Sequence, residues 1–290
     1  MTDEDRKPRV LLAGYASLDR AVRVNRCPGP GTTGVVHRIV DVRRRPGGIA
    51  HAAMALAAGG ADVTVVTAVG DDEPGREYLK ALADAGCDTS LVLVRGDTSP
   101  YTDLLYADDG STACLFHPGA PGPWELGPAH TDAAGAVDAV VCMVGPANVT
   151  AAMLDAVSDD AVVSWVIKDD RQALSGDLPR RLTRRADLIF CNRSESRLID
   201  REVLRPSTVV VQTAGQEPVE VTVGGERSIH PVEPIERIPL DPTGAGDALA
   251  GGFIAAYLRG ATASEATAAG TAASRRLLLS RDGEETGGDR

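Results

Sequence analysis

The sequence predicts an α/β fold: a central, mostly parallel sheet with helices on both faces. Short β-rich apolar runs alternate with Ala- and Leu-rich amphipathic stretches along the chain, which is the rhythm of repeated βα units. Several of the strand-like runs are apolar at every position, as expected for strands covered on both faces. A chain of 290 residues that is 43% apolar can bury one large core, and α/β folds of this length often form a single unit.

In order, VLLAGY (10–15), DVTVVTAV (62–69), VDAVVCMV (137–144), AVVSWVI (161–167), DLIFC (187–191) and TVVVQT (208–213) read as strands. AHAAMALAAG (50–59), EPGREYLKALADAG (73–86), VTAAMLDAVS (149–158) and DLPRRLTRR (177–185) read as helices, and two longer helical stretches, 245–259 and 263–279, follow. Residues 20–46 and 98–117 break the rhythm as extended pairs with turns. YTDLLYADDGSTACLF carries strand signals on either side of Asp109-Gly110, a hairpin mark. These two insertions predict a small β flap over one edge of the sheet, with a solvated, decorative hairpin as the other reading. No repeat or long linker divides the chain, so residues 1–290 are expected to form one domain, with polar ends at 1–7 and 282–290.

Composition narrows the function classes. The formal net charge is −11, from 30 Lys and Arg against 41 Asp and Glu. An acidic chain without a basic stripe is a poor nucleic-acid binder, because phosphate neutralisation dominates that affinity. Five cysteines without a CxxC pair suit reduced thiols. The start, MTDEDRKPRV, lacks the apolar stretch of a signal peptide, and no run of about 18 apolar residues predicts a membrane span. A cytoplasmic protein without membrane contact is the expectation.

The strongest chemical signal is Asp241-Pro-Thr-Gly-Ala-Gly-Asp247, followed by the helical run ALAGGFIAAYLRG. Pro242 halts the preceding strand and the glycines let main-chain N–H groups face open space. The helix adds its positive end, which makes an anion site of backbone donors. Phosphoryl transfer needs such donors, since charge spreads over the equatorial oxygens of the group in flight, and it needs a base beside the attacking hydroxyl. Asp247 sits where that base would stand. A Gly-rich strand-to-helix turn with Asp247 as a cap is the alternative.

DPTGAGDALAGGF resembles the C-terminal signature of the ribokinase (PfkB) family of carbohydrate kinases. The resemblance implies a ribokinase-like fold, with helices sandwiching the sheet and the flap acting as a lid. It implies that Asp247 is the catalytic base and that Gly244, Ala245 and Gly246 form the anion hole, with Thr243 in the same loop near the nucleotide. Four shorter pieces occur in the family's order. Gly14-Tyr-Ala-Ser-Leu-Asp19 at the end of the first strand is similar to the family's Gly-x4-Asp, whose Asp holds substrate hydroxyls; a solvent-facing loop Asp is the other reading. Pro46-Gly47-Gly48 resembles the Gly-Gly substrate turn, where backbone approaches a sugar closely, although Gly-Gly before a helix is also ordinary loop chemistry. Asn192-Arg-Ser-Glu195 fits the family's Asn-x-x-Glu and implies contacts to phosphate and, through water from Glu195, to Mg²⁺; a helix start with an early Glu fits equally. Thr213-Ala-Gly215 resembles the family's Thr-x-Gly at the nucleotide.

One position departs from the family. The Asn that follows its Gly-Gly pair is missing, and Ala52 or His51 stands there, depending on whether one counts from the glycines or from Leu56. His51 is thus a candidate substrate contact or a satisfied helix histidine. A Walker A loop is excluded, since no Gly-Lys pair exists and the only lysines are Lys7, Lys80 and Lys168. Gly29-Pro-Gly-Thr-Thr-Gly34 matches GxGxxG but precedes β-like VVHRIV instead of a helix, and so fails as a dinucleotide site. No GxSxG or HExxH occurs. Lys168-Asp-Asp170-Arg171 follows a strand, either sensing phosphate or decorating a loop.

The combined expectation is an ATP-dependent kinase acting on a hydroxyl of a sugar or sugar-like molecule. A nucleoside kinase, a non-catalytic nucleotide or sugar sensor, and a hydrolase are its rivals. The low aromatic content, 3%, tilts the acceptor towards a sugar. ATP and Mg²⁺ are the implied cofactors, with a monovalent cation such as K⁺ as a candidate third. The resemblance also implies a homodimer through the β lid.

Overall fold

A computed structural model of the chain describes residues 6–40, 43–120, 122–237 and 239–287, with side chains through Arg281. The polar start, residues 1–5, and the last residues, 288–290, lie outside it. Strand β1 (Arg9–Ala13) is followed by β2 (Ala16–Val24), β3 (Val36–Ile39) and β4 (Arg45–Gly48). Next come α1 (Ala50–Ala58), β5 (Asp62–Val66), β6 (Ala68–Val69), α2 (Glu73–Asp84), β7 (Leu93–Val94) and the hairpin β8 (Tyr101–Ala107) and β9 (Thr112–His117). An alternating stretch follows: α3 (Pro128–Ala136), β10 (Ala139–Cys142), α4 (Ala147–Ala156), β11 (Val162–Val166), α5 (Leu178–Arg185), β12 (Leu188–Asn192) and β13 (Val209–Thr213). The antiparallel pair β14 (Val219–Val223) and β15 (Glu226–His230) precedes the helices α6 (Ala245–Leu258) and α7 (Ala263–Gly287).

Among the described residues, eight strands form the large sheet in the order β15-β14-β13-β12-β11-β10-β1-β5. From β13 to β5 every pairing is parallel, and only β14 and β15 run antiparallel at one edge. Side chains of β1 alternate between two cores. Val10 and Leu12 pack with α1, α2, α6 and α7, whereas Leu11 and Ala13 pack with α3, α4 and α5. That two-sided burial is why the parallel strands read as unbroken apolar runs. Among the described residues no helix is long and apolar enough to cross a membrane.

The second sheet runs β3-β2-β8-β9, with β4 also paired to β2. The Asp109-Gly110 turn joins β8 to β9, and Gly110 has the positive φ of 84° that such a turn favours. The GxGxxG stretch lies in the loop between β2 and β3, with no helix after it.

Helix and strand bounds match the sequence pattern closely, and the differences have local causes; the two-residue β7 is too short to show a pattern. The run 62–69 breaks at Thr67 into β5 and β6. Helix α3 was not predicted, since PAHTDAAGA has little apolar periodicity. Nor was the hairpin β14–β15, whose outer strand is exposed along most of its length and so carries no apolar stripe.

Helix α6 is nearly all buried between α1 and α7, and small residues permit the approach. A Cβ on Gly251 would lie 2.4 Å from the Ala52 carbonyl oxygen, and one on Gly252 would lie 2.8 Å from the Ala273 Cβ. This packing sets the height at which the α6 N-terminus meets the sheet edge. Replacing Gly251 with Leu is therefore expected to cost about 1–3 kcal/mol or more by overpacking, read as a lowered urea midpoint.

Candidate active site

Site geometry begins with the DPTGAGD loop. The Asp241 carboxylate accepts from the Thr243 N–H at 3.0 Å, which turns the chain after Pro242. Gly244 then takes φ 84° as the cap of α6. A Cβ there would sit 2.0 Å from the His51 ring, so both the backbone angle and the packing require glycine. The Ala245 N–H reaches back to the Pro242 carbonyl at a long 3.3 Å. Among the described residues, the N–H groups of Gly244, Gly246 and Asp247 have no protein acceptor, and nothing lies within 4 Å of the side-chain position of Gly246. Unpaired amides at a helix N-terminus favour an anion.

The Asp247 side chain is 8% exposed and lines a cavity of about 760 Å³ between the two sheets. Lys168, just past β11, places its Nζ 3.4 Å from Asp247 Oδ1, and that oxygen accepts no hydrogen bond among the described residues. A buried carboxylate oxygen left without a donor is uncommon and points to a missing partner.

Asp19 lies across the same cavity. It was expected in the loop after the first strand, but β1 ends at Ala13 and Asp19 belongs to β2 of the second sheet. Gly47 and Gly48 likewise form β4, paired with Ser17 and Ala16, instead of a free turn. The reason is local: a Cβ on Gly47 would overlap the Asp19 carboxylate, so this strand pair closes only on glycine. Ser17 donates to Asp19 at 2.5 Å and lies 2.7 Å from the Thr102 hydroxyl. These two hydroxyls escaped sequence reasoning, because only β2–β8 pairing sets Thr102 opposite Asp19. Burial raises the Asp19 carboxyl to about 6 despite the Ser17 hydrogen bond.

Beneath the loop lies a buried polar network. Arg281 of α7 pairs with Asp241 at 3.1 Å, both side chains 6% exposed, and donates to the Asp241 carbonyl at 2.7 Å. Its other nitrogen reaches His51 Nε2 at 3.2 Å. Tyr106 of β8 donates to Asp241 at 2.8 Å and lies 2.5 Å from the Thr243 hydroxyl. His51 therefore supports the loop from below and is not among the residues lining the first cavity. Burial, with Arg281 adding to it, lowers the His51 imidazole to about 4, so it stays neutral.

A second cavity, of about 440 Å³, opens on the other side of the loop. Pro242, Ala245 and Gly246 form its near wall, and Thr213 and Gly215 at the end of β13 its far one. Thr243 and Asp247 face the first cavity, so the loop is shared between two compartments. Asn192 and Glu195 bond each other reciprocally, Asn192 N–H to Glu195 Oε2 at 2.8 Å and Glu195 N–H to Asn192 Oδ1 at 2.9 Å. Glu195 is buried, which raises its carboxyl, and it faces the first cavity near Lys168. Among the described residues no three His, Cys, Asp or Glu side chains cluster as a metal cage. The donor set fits a Mg²⁺ carried by phosphates and touched through water, not one held by protein alone.

The model of the pfkB family carbohydrate kinases matches residues 7–284. The chain belongs to that family. It is 28% identical over 268 residues to a nucleoside kinase of Methanothermobacter thermautotrophicus, spanning 89% of this chain and 84% of that protein. An ATP-dependent ribose-1-phosphate kinase of Halopiger xanaduensis is 29% identical over 264 residues, with 86% and 85% covered. A ribokinase of Cryptococcus neoformans var. grubii, crystallised with ADP, superposes with a TM-score of 0.79 at 19% identity, with 94% of each chain covered. The large sheet with its flanking helices is thus the ribokinase-like fold, and the protein is a phosphotransferase.

Removing one partner of the buried pair strands the other charge. Arg281→Met in this kinase should lower stability by about 3–5 kcal/mol, measured by thermal or urea unfolding.

Proposed function

We propose that this kinase transfers the γ-phosphoryl group of ATP to a hydroxyl of a sugar-containing acceptor, with a nucleoside favoured over a free sugar. The observation that carries the reading is the position of Asp247, a buried carboxylate in the first turn of α6, beside free amides and lining the larger of the two cavities that its loop separates. In the proposed cycle the nucleotide occupies the smaller cavity against Thr213 and Gly215, and the acceptor occupies the larger one against Asp19 and Gly48. Asp247 takes the proton of the acceptor hydroxyl as its oxygen attacks the γ-phosphorus, and the bond to the β-phosphate oxygen breaks to release ADP. The amides of Gly244, Gly246 and Asp247 face the charge on the transferred group, as positioned donors should. Glu195, oriented by Asn192, reaches through water towards the metal. Bound Mg²⁺ supplies neutralisation of the phosphates.

Two features favour a nucleoside. The acceptor cavity, about 760 Å³, exceeds what a free pentose fills. Its wall carries Tyr15 and Phe116, with ring centres 5.1 Å apart, and Trp124 backs Tyr15 at 5.8 Å. Such rings suit the flat face of a base. The relative from Methanothermobacter thermautotrophicus bears the name nucleoside kinase, which agrees. We also propose that the β2-β8 sheet is a lid over the acceptor and that a second copy covers its exposed Val36, Ile39 and Leu115.

Asp247→Asn should lower kcat at least ~100-fold while ATP affinity changes little. Coupled detection of ADP release over a panel of nucleosides and pentoses makes the measurement and ranks acceptors. Near-normal turnover of the variant would remove Asp247 from its role.

Asp19 gives a pH signature. Its carboxyl titrates near 6 and must be ionised to accept acceptor hydroxyls, so kcat/KM for the acceptor should fall as pH drops through about 6. One pH unit lower the loss should be roughly tenfold. The folded-state value lies above the ordinary 3.8, so this group's contribution to stability is present below pH 3.8 and lost as pH rises to about 6. Asp19→Asn should accordingly remove the acidic limb without loss of stability at neutral pH, checked by pH-rate profiles and melting curves.

A further inference from the structure

Lys168 has no role in the mechanism so far, yet its place in the fold is tightly fixed. It stands two residues beyond β11, where the Ile167 N–H still bonds to Phe190 at 2.8 Å as the strand leaves the sheet. Just past it, the Asp170 N–H bonds the Lys168 carbonyl at 2.9 Å, and the Asp170 carboxylate accepts from Gln172 and Ala173 at 2.8 and 3.0 Å. Asp169 pairs with Arg197. The backbone is held on both sides, while the side chain, 45% exposed, enters the acceptor cavity.

Charge in that cavity is one-sided. Among the described residues that line it, Asp19, Asp169, Asp170, Glu195 and Asp247 stand against one basic side chain, Lys168. A γ-phosphoryl group arriving beside Asp247 and Glu195 meets two carboxylates, whereas the loop amides neutralise it only from the α6 side. The present ion pair is loose, 3.4 Å without a hydrogen bond to the carboxylate oxygen. Asp247 and Glu195 hold the ammonium above the ordinary lysine range, so it is charged throughout neutral pH. An ammonium is a compact charge with three donors on a flexible stem, suited to moving between neighbouring anions.

We propose that Lys168 is a second catalytic group: its ammonium moves from Asp247 to an equatorial oxygen of the γ-phosphoryl group and neutralises it during transfer. The proposal rests on the kinase reading above. The acceptor proton still goes to Asp247, and Lys168 remains protonated from start to finish. Its departure frees the Asp247 oxygen that lacks a hydrogen bond to receive that proton.

The test compares wild type with Lys168→Met and Lys168→Gln, each checked for folding by its melting curve, so that one well-folded variant suffices. The expected result is a kcat lower by ~10²–10³-fold. Affinity for ADP with aluminium fluoride and acceptor, a mimic of the group in flight, should weaken by a similar factor, with ADP alone changed less than ~3-fold. A kcat within ~5-fold of wild type would overturn the proposal. So would a lower kcat with unchanged affinity for the mimic, since that assigns Lys168 only to neutralising Asp247. Absence of ADP release by the wild type with every acceptor is a separate result that sinks the kinase reading itself.

Discussion

Asp241 and Arg281 are buried side by side beneath the glycine-rich loop that opens α6, and the shape of that loop follows from how they are held. Asp241 receives Arg281, Tyr106 and the Thr243 amide together. Its carboxylate is thereby satisfied from helix α7, from the second sheet and from its own turn. A buried ion pair of this kind is weak evidence for net stability, because desolvation consumes much of the attraction. Its consequence is geometric. With the turn fixed and Gly244 seated on the His51 ring, the first amides of α6 have one direction left to face.

The same network joins parts of the chain that are distant in sequence. Tyr106 belongs to the second sheet and lines the larger cavity, and Thr243 belongs to the loop that separates it from the smaller one. Tyr106 thus ties the second sheet directly to the turn that precedes Asp247. His51, held neutral by burial and Arg281, can sit against that guanidinium without adding a second positive charge. Burial raises Asp19 and lowers His51 for one shared reason, the cost of a charge away from water.

Much of this was legible in the sequence because it is local. Unbroken apolar strands record a sheet covered on both faces, and the Asp109-Gly110 turn records a hairpin. DPTGAGD records a strand-to-helix turn with free amides, since Pro and Gly act within a few residues of themselves. Other features left no local trace. The edge strand β15 is solvated and so lacks an apolar stripe, and α3 has little periodicity to read. Asp19 resembles a loop residue until β2 pairs with β4 and β8 and closes Ser17 and Thr102 around it.

Sequence alone thus determined the α/β class, the family resemblance and the glycine-rich turn that opens α6, all of which rest on neighbours along the chain. Tertiary structure decided what meets that loop. It put His51 on the loop's underside, brought Arg281 back across the chain to Asp241, and set Lys168 beside Asp247. Those contacts depend on strand order and on small residues that let α1, α6 and α7 approach. No spacing rule reaches over such distances, because long-range charge pairing is chosen by packing, and packing exists only in three dimensions.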